Sequence, residues 1–171
     1  MQTNKSIYFY GKGQFVFLSN FYPCKIYDDE LDVSFNCSEQ CFMYSKCLIF
    51  DDENEELKEK ILAETNPSKI KRFGRIVKNF DNKVWEKERW LRMYNAVYLK
   101  FSQNKDLKKK LLATGDRALY EASPTDRIWG IGYSAKEAHK TSKSGYGQNL
   151  LGKILMDVRS KLIGNEDSND D

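Results

Sequence analysis

The chain has 171 residues, 40% of them hydrophobic and 13% aromatic, with 28 basic side chains against 25 carboxylates. That suits one globular domain with an adequate core, and no run is apolar for long enough to span a bilayer. One histidine, no Cys-x-x-Cys pair and no glycine-rich phosphate-binding run leave little room for Ser-His-Asp or Cys-His catalysis, a zinc deaminase, a phosphate-loop enzyme or a dinucleotide-binding fold.

In chain order, SIYFY, QFVFL, CKIY and LDVSF read as strands, with Gly11 and Gly13 punctuating the first pair and Asp28-Asp29-Glu30 turning the last. Ser38 is placed to cap a helix that is apolar nearly all round and therefore buried. Glu39 stands in its first turn, sharing a face with Phe42, Met43, Lys46 and Phe50. After the acidic DDENEE comes a solvated helix ending near Glu64. Asn66-Pro67 starts a short helix that Gly74 stops. Lys83 to Phe101 reads as a long aromatic helix, and another runs from about Asn104 to Thr114-Gly115. RALYEA is an expected strand, SPTD a turn and RIWGIG a strand or loop. The basic loop KTSKSGYGQN precedes a last helix, LLGKILMDVRSKL. The fold expected is a helix-rich α+β single domain over residues 1–163 with a small antiparallel sheet near the N-terminus. Residues 164–171, GNEDSNDD, are expected to form an acidic, disordered tail, and leaving them out raises the net charge from +3 to +7.

A carboxylate among apolar side chains is costly unless it has partners or does chemistry. Carboxylates beside aromatics, with amides and cations nearby, are the equipment of glycosidic bond cleavage. There a carboxylate stabilises an oxocarbenium-like state or activates water, and an aromatic stacks on the leaving base. The four cysteines, Cys24, Cys37, Cys41 and Cys47, read as reduced, partly buried thiols.

Six segments then carry a resemblance: FLSNFYP (17–23), CSEQCFMYSK (37–46), KRFGR (71–75), VWEKERWLRM (84–93), KFSQNKDLKKKLLATGDRALYEASPTDRIWGIG (100–132) and GQNLLGKILMDVR (147–159). Their content and order resemble the NADAR (NAD- and ADP-ribose-associated, YbiA-like) family across about residues 7 to 162. The resemblance implies an N-glycosidase that needs no metal or cofactor. Its substrate would be an early riboflavin-pathway ribosylaminopyrimidine phosphate, or an ADP-ribosylated base such as guanine.

Carried over by motif, Glu39 is the leading catalytic residue, joined by Asp126 of the D-x-x-W-G pattern. Asn20 and Phe21 match S-N-F, and Lys46 a motif lysine, with Cys47 following in place of the family's aromatic. Gly74 and Arg75 match G-R, while Trp85 and Trp129 match the family tryptophans. Lys46, Arg75 and Asn149 are expected to meet phosphate, and Trp85 or Trp129 to stack on the base. Gln40 stands where the YbiA type carries histidine, which together with the family's name tips the expectation toward ADP-ribose. The rival readings are a non-catalytic ADP-ribose- or NAD-binding module and, on the basic body and the aromatics alone, a nucleic-acid-binding domain. A substrate carried on nucleic acid fits the first reading; a membrane or an obligate protein partner is not expected. The N-terminus lacks a signal peptide's apolar core, so the expected compartment is the cytoplasm.

Overall fold

The computed structural model describes residues 5–167. It divides into two compact units. The two ends of the chain, up to Ser19 and from Asp106, make the first, and Asn20–Lys105 makes the second.

In the first unit, strand β1 (Ser6–Phe9) pairs in parallel with β4 (Ala118–Glu121), Ile7 facing Leu119 in register. Parallel neighbours cannot be joined by a tight turn, and here residues 10–117 lie between the two strands. Helix α5 (Lys105–Leu112) precedes β4, and Gly115 turns the chain between them in the left-handed region at φ +60. A short helix, α6 (Ala135–Ala138), closed by a Ser134–Glu137 capping box, leads to the long α7 (Leu150–Asp167), which packs on β4. Ile7, Phe9, Leu119, Ile131, Leu151, Ile154 and Val158 are all buried in this unit.

The expected strand QFVFL does not form. Val16–Leu18 is a single 3-10 turn entered from Phe15. Phe17 and Leu18 are both buried, and a strand would send adjacent side chains to opposite faces; the tight turn puts both inside. Helix α7 runs through residues 164–167, where the tail was expected to begin. The rest of that tail, residues 168–171, lies outside the described residues.

The second unit holds an antiparallel hairpin, β2 (Ile26–Asp28) with β3 (Val33–Phe35), turned at Asp28-Asp29-Glu30 as expected. Four helices follow: α1 (Ser38–Phe50), α2 (Glu55–Ala63), α3 (Pro67–Phe73) and α4 (Asn82–Gln103). Their starts are written in the sequence. Asn54 accepts from Leu57 N–H, Asn66 from Ser68 and Lys69 with Pro67 at the first helical position, and Asp81 from Lys83 and Val84. Helix α1 is the centre, with α2, α3 and α4 packed on it, and eight of its thirteen residues are buried.

Two local readings change. The N-cap of α1 is Cys37, not Ser38, and no side chain caps it. Gly74 ends α3 in ordinary right-handed geometry, so conformational freedom is not why it is glycine. A Cβ there would collide with Met43 Sδ on α1; the missing side chain lets the α3 end lie against the central helix.

Candidate active site in the second unit

Glu39 is 5% exposed, on the first turn of α1. Its own N–H donates to Asn20 O at 3.1 Å, which ties the start of the unit to the helix end. The positive end of the helix favours an anion there. Asn20 is buried, with Nδ2 donating to Met93 Sδ at 3.2 Å, and its Oδ1 has no hydrogen-bond partner. Ser38 Oγ, next to Glu39 in sequence, is likewise buried and unpartnered. Such orphans are uncommon in folded proteins, since each costs on the order of 1–3 kcal/mol. Here two accompany one buried carboxylate. Ser38 escaped the sequence reading because its type and place suited a cap; its position before Glu39 was the available signal.

Lys46, two turns along α1, is half-buried and donates from Nζ to Gly74 O at 2.7 Å. Its ammonium lies 4.3 Å from the centre of the Phe80 ring and 5.4 Å from that of Trp85. Burial lowers its pKa, the neighbouring Arg75 lowers it further, and Glu39 raises it. The three charges therefore feel one another. Lys46 is anchored by a carbonyl, so no direct ion pair to Glu39 is needed to hold it. Arg75 is exposed and forms no ion pair among the described residues.

Trp85 is 8% exposed and packs against Phe42 and Phe50, with ring centres 5.0 and 6.1 Å away. It is a wall rather than an open stacking surface. Phe80, 44% exposed and edge-on to Phe50, is the solvent-facing ring beside Lys46, and no sequence signal had singled it out. Phe21, next to Asn20, is half-buried.

Gln40 is 1% exposed and wholly engaged. Its Oε1 accepts from Asn36 N–H, and its Nε2 donates to the carbonyls of Ile61, Leu62 and Glu64 at the end of α2. The residue joins two helices, so its identity gives no ground for preferring ADP-ribose.

Asp126, Trp129 and Asn149 belong to the first unit. Asp126 Oδ1 accepts from Ile128 and Trp129 N–H at 2.9 and 2.8 Å, the side-chain-closed turn of its plain reading. Asn149, at φ +52, accepts from Glu121 N–H and donates to Leu119 O, so both its polar atoms brace β4. The amides from Gly147 to Leu151 are also spoken for, donating to carbonyls of Arg127 to Ile131. The expectation that Asn149 meets phosphate is therefore corrected: its side chain is taken up by β4 and its N–H by Gly130 O.

All four cysteines are free. Burial pushes Cys37 and Cys47 up to about 11 and Cys41 to about 12, far from the reactive thiolate range. Among the described residues, no three His, Cys, Asp or Glu side chains gather as metal ligands.

The NADAR domain model matches residues 8–163. The chain belongs to the NADAR family. It is 37% identical to N-glycosidase R617 of Acanthamoeba polyphaga mimivirus over 170 residues, which cover 94% of this chain and 98% of the relative. It is 37% identical to riboflavin biosynthesis protein VVA0006 of Vibrio vulnificus over 157 residues, 91% of this chain but 38% of that longer protein. The NMR structure of Escherichia coli YbiA superposes with a TM-score of 0.76 at 28% identity, covering 97% of this chain and 89% of that one. The helix-rich α+β architecture of this NADAR chain is thus that of YbiA.

Proposed function

We propose that this NADAR chain is an N-glycosidase that hydrolyses the bond between a phosphate-bearing ribosyl group and a base or amine. ADP-ribosylated guanine and a ribosylaminopyrimidine phosphate are the substrates of this kind to which the family points. The observation that carries the reading is the buried Glu39 accompanied by the two unsatisfied polar atoms, Asn20 Oδ1 and Ser38 Oγ. Both atoms sit on residues next to Glu39, one in sequence and one through the hydrogen bond from Glu39 N–H to Asn20 O, and unsatisfied polar atoms of this kind go with a functional carboxylate rather than a structural one.

As the glycosidic bond lengthens, positive charge develops at the ribose anomeric carbon and its ring oxygen. A carboxylate fixed in a buried setting stabilises that charge strongly and can accept a proton from the attacking water. Lys46 and Arg75 are close enough to repel, and an anion beside them relieves that repulsion, which suits a substrate phosphate. Phe80 offers its exposed ring to the base. Asp126 shapes the turn bearing Trp129, and its catalytic role rests on the family pattern alone.

The test is chromatographic detection of the released base from an ADP-ribosylated guanine and from a ribosylaminopyrimidine phosphate, with wild type and Glu39→Gln. Release by wild type, falling at least roughly a hundredfold in the variant while the ligand still binds, supports the reading. Binding without release in wild type makes the chain a binding module.

A further inference from the structure

Outside the Glu39 region, the first unit carries a groove of about 250 Å³ whose lining includes Phe15, Phe17, Lys110, Thr114 and Arg117. Phe17 is buried and forms its floor, and the half-buried Phe15 forms its lip, the two ring centres lying 6.4 Å apart. Both rings carry cations. Lys110 Nζ is 5.9 Å from the centre of Phe17, and the Arg117 guanidinium carbon is 5.9 Å from that of Phe15.

Arg117 is held in place, with Nε and Nη2 donating to Thr114 O and Ala113 O at the end of α5. Behind Thr114 stands a third cation. Arg159 is 6% exposed, and its Nη1 donates to Thr114 Oγ1 at 2.7 Å and Arg117 O at 3.0 Å. Among the described residues none of the three forms an ion pair. Burial lowers the Arg159 pKa, Asp116 offsets part of that, and Arg117 adds to it. A buried guanidinium offset only in part by Asp116, behind a groove with two more cations, leaves net positive charge where aromatic rings are also available.

We propose that this groove binds a nucleotide, with the base against Phe15 and the phosphate between Lys110 and Arg117. The cations supply what a phosphate needs, and the rings what a base needs. The nucleotide is either free or one unit of a single strand, and the two sources are separable. The site is independent of the hydrolase reading, since no residue of it serves Glu39.

Calorimetric titration of the full chain with AMP, adenosine, inorganic phosphate and a single-stranded tetra-adenylate tests it. AMP is expected to bind more tightly than adenosine or phosphate. Phe15→Ala should weaken AMP roughly fivefold or more, the low end of a lost stacking contact, and leave phosphate unchanged. Lys110→Glu, at an exposed helix position, should weaken both AMP and phosphate and reduce the salt dependence of binding. The affinity lost in Phe15→Ala and Lys110→Glu should survive in Arg75→Ala, which bears on the other site. Tetra-adenylate binding that exceeds AMP and is lost in Lys110→Glu assigns the nucleotide to a strand; equal affinities assign it to the free form. Affinities indifferent to both Phe15→Ala and Lys110→Glu, or no binding of AMP or tetra-adenylate, overturn the proposal.

Discussion

Ser38 and Glu39 pose the sharpest question at the scale of a residue. Ser38 Oγ is buried without a partner, so its removal costs no hydrogen bond. Ser38→Ala should therefore leave the melting temperature level or raise it slightly. If the hydroxyl meets the ribose, the same variant should raise KM or lower kcat by roughly threefold to tenfold, an ordinary hydrogen bond's worth. A clear fall in melting temperature with unchanged kinetics would make Ser38 architecture. The sequence placed Glu39 correctly in a buried first turn because helical spacing alone predicts which residues share its face. It could not say that Gln40, one position on, is absorbed by the α2 carbonyls, or that both polar atoms of Asn149 serve β4. Asparagine and glutamine can bind a ligand or the backbone equally well, and the partner that comes within reach decides.

Elements show a similar division. The starts of α2, α3 and α4 follow from Asn54, Asn66 and Asp81, because a cap acts within one turn of itself. Glycines are harder to read. Gly74 looks like a stop and is a point of close approach to α1, while Gly147 looks like loop flexibility and is also contact. A Cβ on Gly147 would sit 2.5 Å from Arg127 O, 2.7 Å from Arg127 Cα and 2.8 Å from Gly130 O, all backbone atoms with little freedom to yield. Gly147→Ala should pry the 147–151 segment from 127–131 and cost about 1–3 kcal/mol of stability. Urea unfolding measures this. An unchanged midpoint would mean the two segments part without penalty.

At the scale of the whole molecule, the charges buried in the second unit give stability an alkaline signature. Burial lowers Lys100 from its ordinary 10.5 to about 8, with Cys24 and Cys37 opposing that shift. Between about pH 8 and 10.5 the unfolded chain holds the proton that the folded chain has given up, so stability rises with pH, by on the order of 3 kcal/mol for this group. The buried thiols act in the other direction. Cys37, Cys41 and Cys47 keep their protons in the folded state to about 11 or 12 and lose them near 9 when unfolded, so their contribution falls as pH rises through that range. Comparing wild type with Lys100→Met cancels Cys41 and Cys47, which do not act on the lysine. The stability difference should move in favour of wild type from pH 8 to pH 10, read from urea midpoints; a difference that stays flat would show that the lysine titrates normally.

The sequence by itself determined what depends on near neighbours: the capped start of α3 at Asn66-Pro67, the buried character of α1, the β2–β3 hairpin, Glu39 on an apolar face with Lys46, and the motif order that marks the family. Only the tertiary structure decided what depends on partners far along the chain. It gave β1 a parallel neighbour more than a hundred residues away, turned QFVFL into a 3-10 turn, and enclosed Trp85 while exposing Phe80. It also left Asn20 Oδ1 and Ser38 Oγ without protein partners. The reason is the reach of the forces: capping and periodicity act within a turn, whereas burial and hydrogen-bond choice are settled by whichever distant segment arrives.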